Sequence, residues 1–388
     1  MEAVENLAKC CGIFQIFGLF YFSIKKLSLK SANLYPSMFY TIHFILILVI
    51  LTTQSIILAI STSSDITTAI NAKNALNYII QHSMVIGLIL VLIIAFIQSY
   101  AATREMKKIF VNFIKISHIF LEDFQHIMDF CTMKMQLYKM IFRTMLYYLA
   151  SQVVLYIYET YYGINISLVR LSIGIFPNIF MSMIIFKFVF FVNLVNYNLS
   201  HMTILMQKLF SPQHGPAIIN VKAKADKKFE RNLKTLRKIY YLVQENVELI
   251  NKSMGFTILV FLGILVLSLI SGGYRIFLTF VGRYPVKKMC AIANIMIFVI
   301  IIIHLLVHSC DQTQKHISKL LLTISKIQFE NDLKNSELDI LRDFHMQIAL
   351  QPLQFTTAGY YTINLQFLAG IFTGIASYEV ILVQFYTS

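Results

Sequence analysis

His304 and His308 stand four residues apart in an apolar run, a spacing that turns both imidazoles to one side of a helix and could hold a transition metal. A third ligand at matching spacing is not evident, so no metal site is expected. No nucleophile–base pair, glycine-rich phosphate loop or paired carboxylates occur in a setting that suggests catalysis, and neither an enzyme nor a cofactor is expected. What remains is polar chemistry inside apolar sequence. Lys187 is the one basic residue well inside an apolar run, where charge is costly and functional by default. Its stem could also let the ammonium reach lipid headgroups or a structural partner. Near the C-terminal end, Ile381 and Phe385 share a helix face at i and i+4, with Gln384 beside them. Glu379 faces away from Ile381 on the same helix.

The elements that carry these residues are seven long apolar stretches, at residues 39–60, 79–101, 143–163, 171–196, 254–273, 289–309 and 357–386. Each is long enough to cross a hydrocarbon core of about 30 Å. Hydrophobic residues make up 57% of the chain and charged ones 13%, far from the balance of a soluble domain. Of the 33 Lys/Arg, 26 fall at the N-terminal end or in the gaps on that side and six in the opposite gaps. The positive-inside rule therefore predicts a cytoplasmic N-terminus and, after seven crossings, an extracellular C-terminus. The net charge of +14 follows membrane side, which suits loops facing anionic headgroups; no nucleic-acid partner is expected. The apolar stretch 10–22 is too short to span and is expected at the cytoplasmic interface or in the first turns of a helix. Of five cysteines only Cys290 falls near the exterior, so no extracellular disulfide within the chain is expected. Asn165 begins an exterior sequon; Asn198 and Asn251 begin sequons on the cytoplasmic side.

The interior gaps are long and periodic. Ile109, Phe113, Ile116, Phe120 and Phe124 recur at helical spacing, as do Leu233, Leu236, Ile239, Tyr240 and Val243, and Ile317, Leu320, Leu321, Ile324 and Ile327. Spans two to six are expected to continue as helices into a packed cytoplasmic layer. The competing reading lays amphipathic helices on the membrane surface. A turn-rich stretch from Ser211 to Pro216 predicts a flexible linker near 211–225, and Pro352 separates a helix at about 337–350 from the last span. The chain thus divides into an N-terminal segment (1–38), spans one to five with their extensions (39–273), span six with anchor helices (274–356) and the last span (357–388). The fold class is all-α membrane protein.

The last span ends in Ser377-Tyr378-Glu379-Val-Ile-Leu-Val-Gln384-Phe385. This resembles the signature of insect gustatory receptors: Thr-Tyr, five mostly apolar residues, then Gln-Phe. Ser377 replaces the Thr and keeps its hydroxyl; Glu379 stands where the family often has an apolar residue. The sister family, the insect odorant receptors, shares the architecture. The resemblance implies a ligand-gated cation channel in the plasma membrane, assembled as a homo-tetramer or a hetero-tetramer with related receptors. It implies that the last span of each subunit lines one pore. Four copies would make apolar rings of Ile381 and Phe385 that close it by dewetting, and Gln384 would offer uncharged amides with little discrimination between sodium and potassium. Gly359, Ala369, Gly370, Gly374 and Ala376 permit close helix approach on this span.

The resemblance also implies a ligand pocket in the outer half of the subunit, between spans two and six. At that level fall Tyr156, Glu159 and Tyr162 on span three, Asn178 beside Pro177 on span four, Asn294 on span six, and Gln81 and His82 on span two. Each alone could be an interfacial anchor, whereas polar groups converging on an apolar pocket make a site. Ser268 and Ser271 are weaker candidates. Glu379 is a candidate for coupling pocket to gate through a hydrogen-bond partner between the last span and span five. The partners expected are a small-molecule tastant, permeating cations and membrane lipid. Without Trp, the aromatic content suits a bitter-type ligand better than a sugar, although Glu beside the motif tyrosine resembles some sugar-sensing members. A G-protein-coupled receptor is disfavoured by the predicted orientation and by the lack of Asp-Arg-Tyr and Asn-Pro-x-x-Tyr. A transporter is disfavoured by the lack of an inverted repeat.

Overall fold

The computed structural model describes residues 14, 19, 42, 45, 46, 49, 53, 87, 90–126, 130–161, 168–210, 219–282, 286, 289–330 and 335–387, and among them eight continuous helices and one small hairpin carry the architecture. The first expected span is represented by Ile42, Ile45, Leu46, Val49 and Thr53, all helical. The next element, α1 (Leu90–Ala101), runs on through Ala102 into α2 (Thr103–Phe124), because the amide of Ala102 reaches Gln98 and that of Met106 reaches Ala102. Then follow α3 (Phe130–Tyr161), α4 (Leu168–Phe210), α5 (Ile219–Phe280), α6 (Met289–Glu330) and α7 (Asn335–Leu350). The hairpin pairs β1 (Thr356–Thr357) with β2 (Tyr361–Thr362), and α8 (Leu365–Thr387) closes the chain. Among the described residues, α3, α4, α5, α6 and α8 are long and apolar enough to cross a membrane.

Helix α4 is central because residues 181–195 are apolar on nearly every face, which is the pattern of a helix surrounded by protein. It packs most extensively on α6, and α2 packs on α5. A buried polar link holds α4 to α6: Asn196 donates to the Ser309 carbonyl at 3.0 Å and accepts from the Thr313 hydroxyl at 2.6 Å.

The long helices run straight from apolar into polar sequence, as their unbroken periods predict. The 62 residues of α5 extend about 93 Å at 1.5 Å per residue, far more than a bilayer needs. Ile109, Phe113, Ile116 and Phe120 of α2, Leu233, Leu236, Ile239, Tyr240 and Val243 of α5, and Ile317, Leu320 and Ile324 of α6 are all buried. They form a packed second layer, not helices lying flat on a membrane. Ion pairs such as Arg231–Asp123 at 3.2 Å and Arg237–Asp343 at 3.4 Å cross its exposed surface, where each contributes about 0–1 kcal/mol.

Two expectations need correcting. The linker read over 211–225 is shorter, because α5 begins at Ile219; residues 211–218 lie outside those described. The last span does not begin as helix at 357. The Thr-rich β-branched stretch pairs with itself first, Thr356 opposite Thr362 and Thr357 opposite Tyr361, around a turn in which Ala358 and Gly359 take φ of 52° and 81°. Gly359 therefore serves a turn that needs positive φ and does not sit on a helix–helix face.

Candidate functional site

The hairpin fixes where α8 starts. Asn251 of α5 donates to the Gln354 carbonyl at 2.8 Å and accepts from the Thr356 amide at 3.0 Å. Gly255, one turn on, lets the hairpin press against α5: a Cβ there would lie 2.7 Å from the Ala358 nitrogen. Phe355 is buried edge-on to Phe188, and Asn364 caps α8 by accepting from the Phe367 amide at 2.8 Å. Asn251 looks in sequence like a sequon and nothing more; its role as a clamp depends on a partner about 100 residues away.

From that anchored start, α8 touches its own chain along one stripe. Leu368, Ile371, Ile375 and Glu379, spaced at three or four residues, form the middle of its buried or half-buried stripe, which Phe367, Leu382 and Val383 flank, and it packs mainly on α5. Glu379 lies directly over Gly273 of α5, where any side chain would overlap its carboxylate. Glu379 therefore packs against α5, where a glycine makes room for its carboxylate. On the opposite side Gly370, Thr373, Ser377, Ile381 and Gln384 share an exposed face, with Ile381 46% exposed. Thr373 and Ser377 donate to carbonyls one turn earlier, at 3.0 Å each, so their hydroxyl lone pairs stay on the helix surface. The motif residue Tyr378 is also exposed, at 52%. Phe385 is helical, but its side chain lies outside the described set.

A second constellation joins α3, α4 and α6. Asn178 donates to the buried Tyr148 hydroxyl at 3.1 Å. Asn294 donates to Ser151 at 3.0 Å and accepts from Tyr147 at 3.3 Å, while the Tyr148 ring packs against Phe298 with centroids 4.4 Å apart. Asn178 and Asn294 are therefore brought together through α3. Tyr156 is not among them; it is 37% exposed further along that helix. Glu159 is in α3 but its side chain is not described, and Tyr162, Gln81, His82 and Asn165 fall outside the described residues. Tyr147, Tyr148, Ser151 and Phe298 carry no sequence signal beyond an aromatic pair at the start of a span.

These observations describe a multi-pass membrane protein whose last helix is largely bare. A family profile described as 7tm chemosensory receptor matches residues 10–388. The chain belongs to that family. This 7tm chemosensory receptor is also similar in fold to the insect olfactory receptor OR5 from Machilis hrabei, with a TM-score of 0.69, 13% identity and coverage of 97% of each chain. The structure of OR5 in complex with eugenol matches with a TM-score of 0.65, 12% identity and coverage of 98% of each chain. No curated protein matches it significantly in sequence. The all-helical, seven-span fold read from hydropathy is therefore the fold this receptor has.

Two further residues find their place in the receptor. Lys187 does not snorkel. It is 1% exposed, and its ammonium donates to the Leu19 carbonyl at 2.9 Å and the Ser99 hydroxyl at 3.3 Å. It thereby ties α4 to α1 and to the N-terminal stretch, whose Phe14 packs on Phe190. His304 and His308 stack with centroids 5.7 Å apart, and the described residues contain no group of three His, Cys, Asp or Glu able to hold a metal.

Proposed function

We propose that this receptor is a gustatory receptor acting as a tastant-gated, non-selective cation channel. The observation that carries the reading is the open face of α8. An apolar span anchored along one stripe presents Thr373, Ser377, Ile381 and Gln384 at exposed positions on the other side. Four copies around an axis turn that face into a wall of hydroxyls and amides interrupted by a greasy ring at Ile381, with Phe385 one turn on. Such a ring holds water out until the helices move apart, and the uncharged polar groups favour cations weakly without choosing among them. The Lys/Arg count supports a cytoplasmic N-terminus, an extracellular C-terminus and residence in the plasma membrane.

The ligand site of this reading is the cluster around Tyr148, Asn178 and Asn294, with Tyr156 further along α3; Glu159 and Tyr162 are assigned to it from sequence spacing alone. An aromatic wall with a few converging amides suits an amphipathic, bitter-type tastant. The Glu379–Gly273 contact joins α8 to α5, which packs on α4 and α6, and gives ligand binding a route to the gate. A second reading, a volatile aromatic ligand, draws support from the likeness to OR5, a receptor solved with eugenol. The Ser377-Tyr378 and Gln384-Phe385 motif favours the gustatory one.

Expressing the chain alone and recording membrane currents tests both. Plant toxins should evoke cation currents that barely distinguish sodium from potassium, and Ile381→Ser should raise the current without ligand severalfold. If Ile381→Ser leaks no more than the wild type, the gate assignment fails. Responses confined to volatile aromatics transfer the receptor to the second reading.

A further inference from the structure

Helix α8 is tied to α5 at two levels. At its base, Asn251 of α5 holds the hairpin through Gln354 and Thr356, and the hairpin backbone lies so close to Gly255 that a Cβ there would come within 3.0 Å of the Thr356 oxygen. Further along α5, by about 27 Å at 1.5 Å per residue, Glu379 sits over Gly273. Between these levels α5 carries an irregular turn. In a regular helix the Thr257 N–H points to the Ser253 carbonyl. Here the side-chain oxygen of Gln98, on α1, accepts from that N–H at 2.9 Å, and the Thr257 hydroxyl donates to the same oxygen. Thr257 is 4% exposed, so a protein group and not solvent answers these donors. Gln98 is presented from a firm support. Its neighbour Ser99 accepts from the buried Lys187 of α4 at 3.3 Å, which ties α1 to the most enclosed helix of the chain.

We propose that the turn from Ser253 to Thr257 is the joint at which α5 bends to move α8, and that Gln98 is the residue that positions it. This rests on the channel reading given above. A helix kinks where a side chain enters its hydrogen-bond ladder. Bending lengthens the path from Thr257 to Ser253, and an N–H with a second acceptor loses little when that happens. Gln98 thereby favours the bent turn. The two attachments of α8 straddle the joint. Its base stays with the half of α5 that holds the hairpin, while Glu379 travels with the half that carries Gly273. A bend between them tilts α8 about its hairpin and draws Ile381 away from the axis. The moving half also meets the helix of the ligand cluster, since a Cβ on Gly272 would lie 2.6 Å from the Met296 sulfur of α6, two residues from Asn294.

The test measures leak current in the full chain on the Ile381→Ser background, where the weakened ring lets current report how often the helices part. Adding Gln98→Leu keeps the bulk of the side chain and removes the acceptor. It should cut the leak roughly three- to tenfold, the range for one hydrogen bond between membrane helices. Thr257→Val loses the hydroxyl alone and should cut it less; Thr257→Ser keeps the hydroxyl and should retain the full leak. Amide exchange over residues 250–260, followed by mass spectrometry, separates a joint from a strut. A joint deprived of its second acceptor opens less often and should exchange more slowly in Gln98→Leu, whereas a strut deprived of a bond exchanges faster. Should Gln98→Leu fail to fold, Thr257→Val carries both measurements. Faster exchange, or a leak unchanged by Gln98→Leu and Thr257→Val alike, overturns the joint. If Ile381→Ser leaks no more than the wild type, the channel reading fails, and the exchange alone decides whether α5 bends here.

Discussion

Helices α4 and α8 are both apolar enough to cross a membrane, yet 78% of the best window of α4 is buried within the chain and only 6% of that of α8. Hydropathy alone does not separate them. The difference lies in what each apolar face meets. The central stretch of α4 is apolar nearly all round and packed in protein, so the one charge within it, Lys187, is held by two protein oxygens. α8 meets its own chain along a single stripe, and its small and polar residues gather on the far side. A helix that one chain leaves uncovered must be completed by lipid, by further copies or by water. On the channel reading proposed above, the face that groups Thr373, Ser377 and Gln384 is completed by further copies and water.

This contrast predicts that substitutions in the two helices fail in opposite ways. Phe186 is fully buried in α4, and Phe186→Ala should cost about 3–5 kcal/mol, enough to prevent folded receptor from reaching the membrane. Ile381→Ser on the open face of α8 should cost less than about 1 kcal/mol and leave surface expression intact while altering the current. Thermal melting and surface labelling measure the first effect, and patch recording the second. If Ile381→Ser destabilises as much as Phe186→Ala, then α8 is packed and the contrast is wrong.

The stripe joining α8 to α5 is where the covered and open helix surfaces chiefly meet. Gly273→Ala pushes a methyl into the Glu379 carboxylate, and overpacking of this kind costs about 1–3 kcal/mol. Combining it with Glu379→Ala should recover most of the loss in melting temperature. If Glu379 also couples pocket to gate, Glu379→Gln should shift the ligand concentration for half-maximal current with little change in melting. A Gly273→Ala receptor that melts and gates like the wild type would show that the stripe is loose.

How much of this was legible beforehand depends on whether the signal was periodic or relational. The spans, the helical second layer and the exposed Ile381 and Gln384 follow from repeats of three to four residues, which a chain displays locally. Glu379 could be placed towards span five by helix geometry, but not Gly273 as its partner, because glycine offers no chemistry to search for. The hairpin at 356–362 was hidden inside an apolar window that reads as helix until its β-branched threonines are weighed. Asn178 and Asn294 were visible as polar residues in apolar runs. Tyr148 and Ser151, which unite them, were not, since a hydrogen bond between α3 and α6 leaves no trace in either segment alone.

The smallest expected effect concerns the end of α4 away from its apolar core, where His201 meets His126 just beyond the left-handed cap of α2 at Gln125. Their ring nitrogens are 2.6 Å apart, which requires one N–H and one lone pair. Burial holds His126 below the ordinary imidazole range, and Lys208 pushes the same way. The unfolded chain, whose histidine protonates near pH 6.5, therefore binds more protons than the folded one as the pH falls through that value, and stability falls with it. Because His126 is only half-buried, the loss should stay under about 1 kcal/mol. Glu105 does not confuse this window. Its own backbone N–H draws it below the usual carboxylate range, burial opposes, and Lys252 adds to the lowering, so it contributes only under about pH 4.5. Melting of the wild type between pH 7.5 and 5.5 should therefore drop further than melting of His126→Gln, which keeps a donor and an acceptor but does not titrate. Equal drops would place the acid sensitivity elsewhere in the polar layer and leave the buried helix indifferent to this pair.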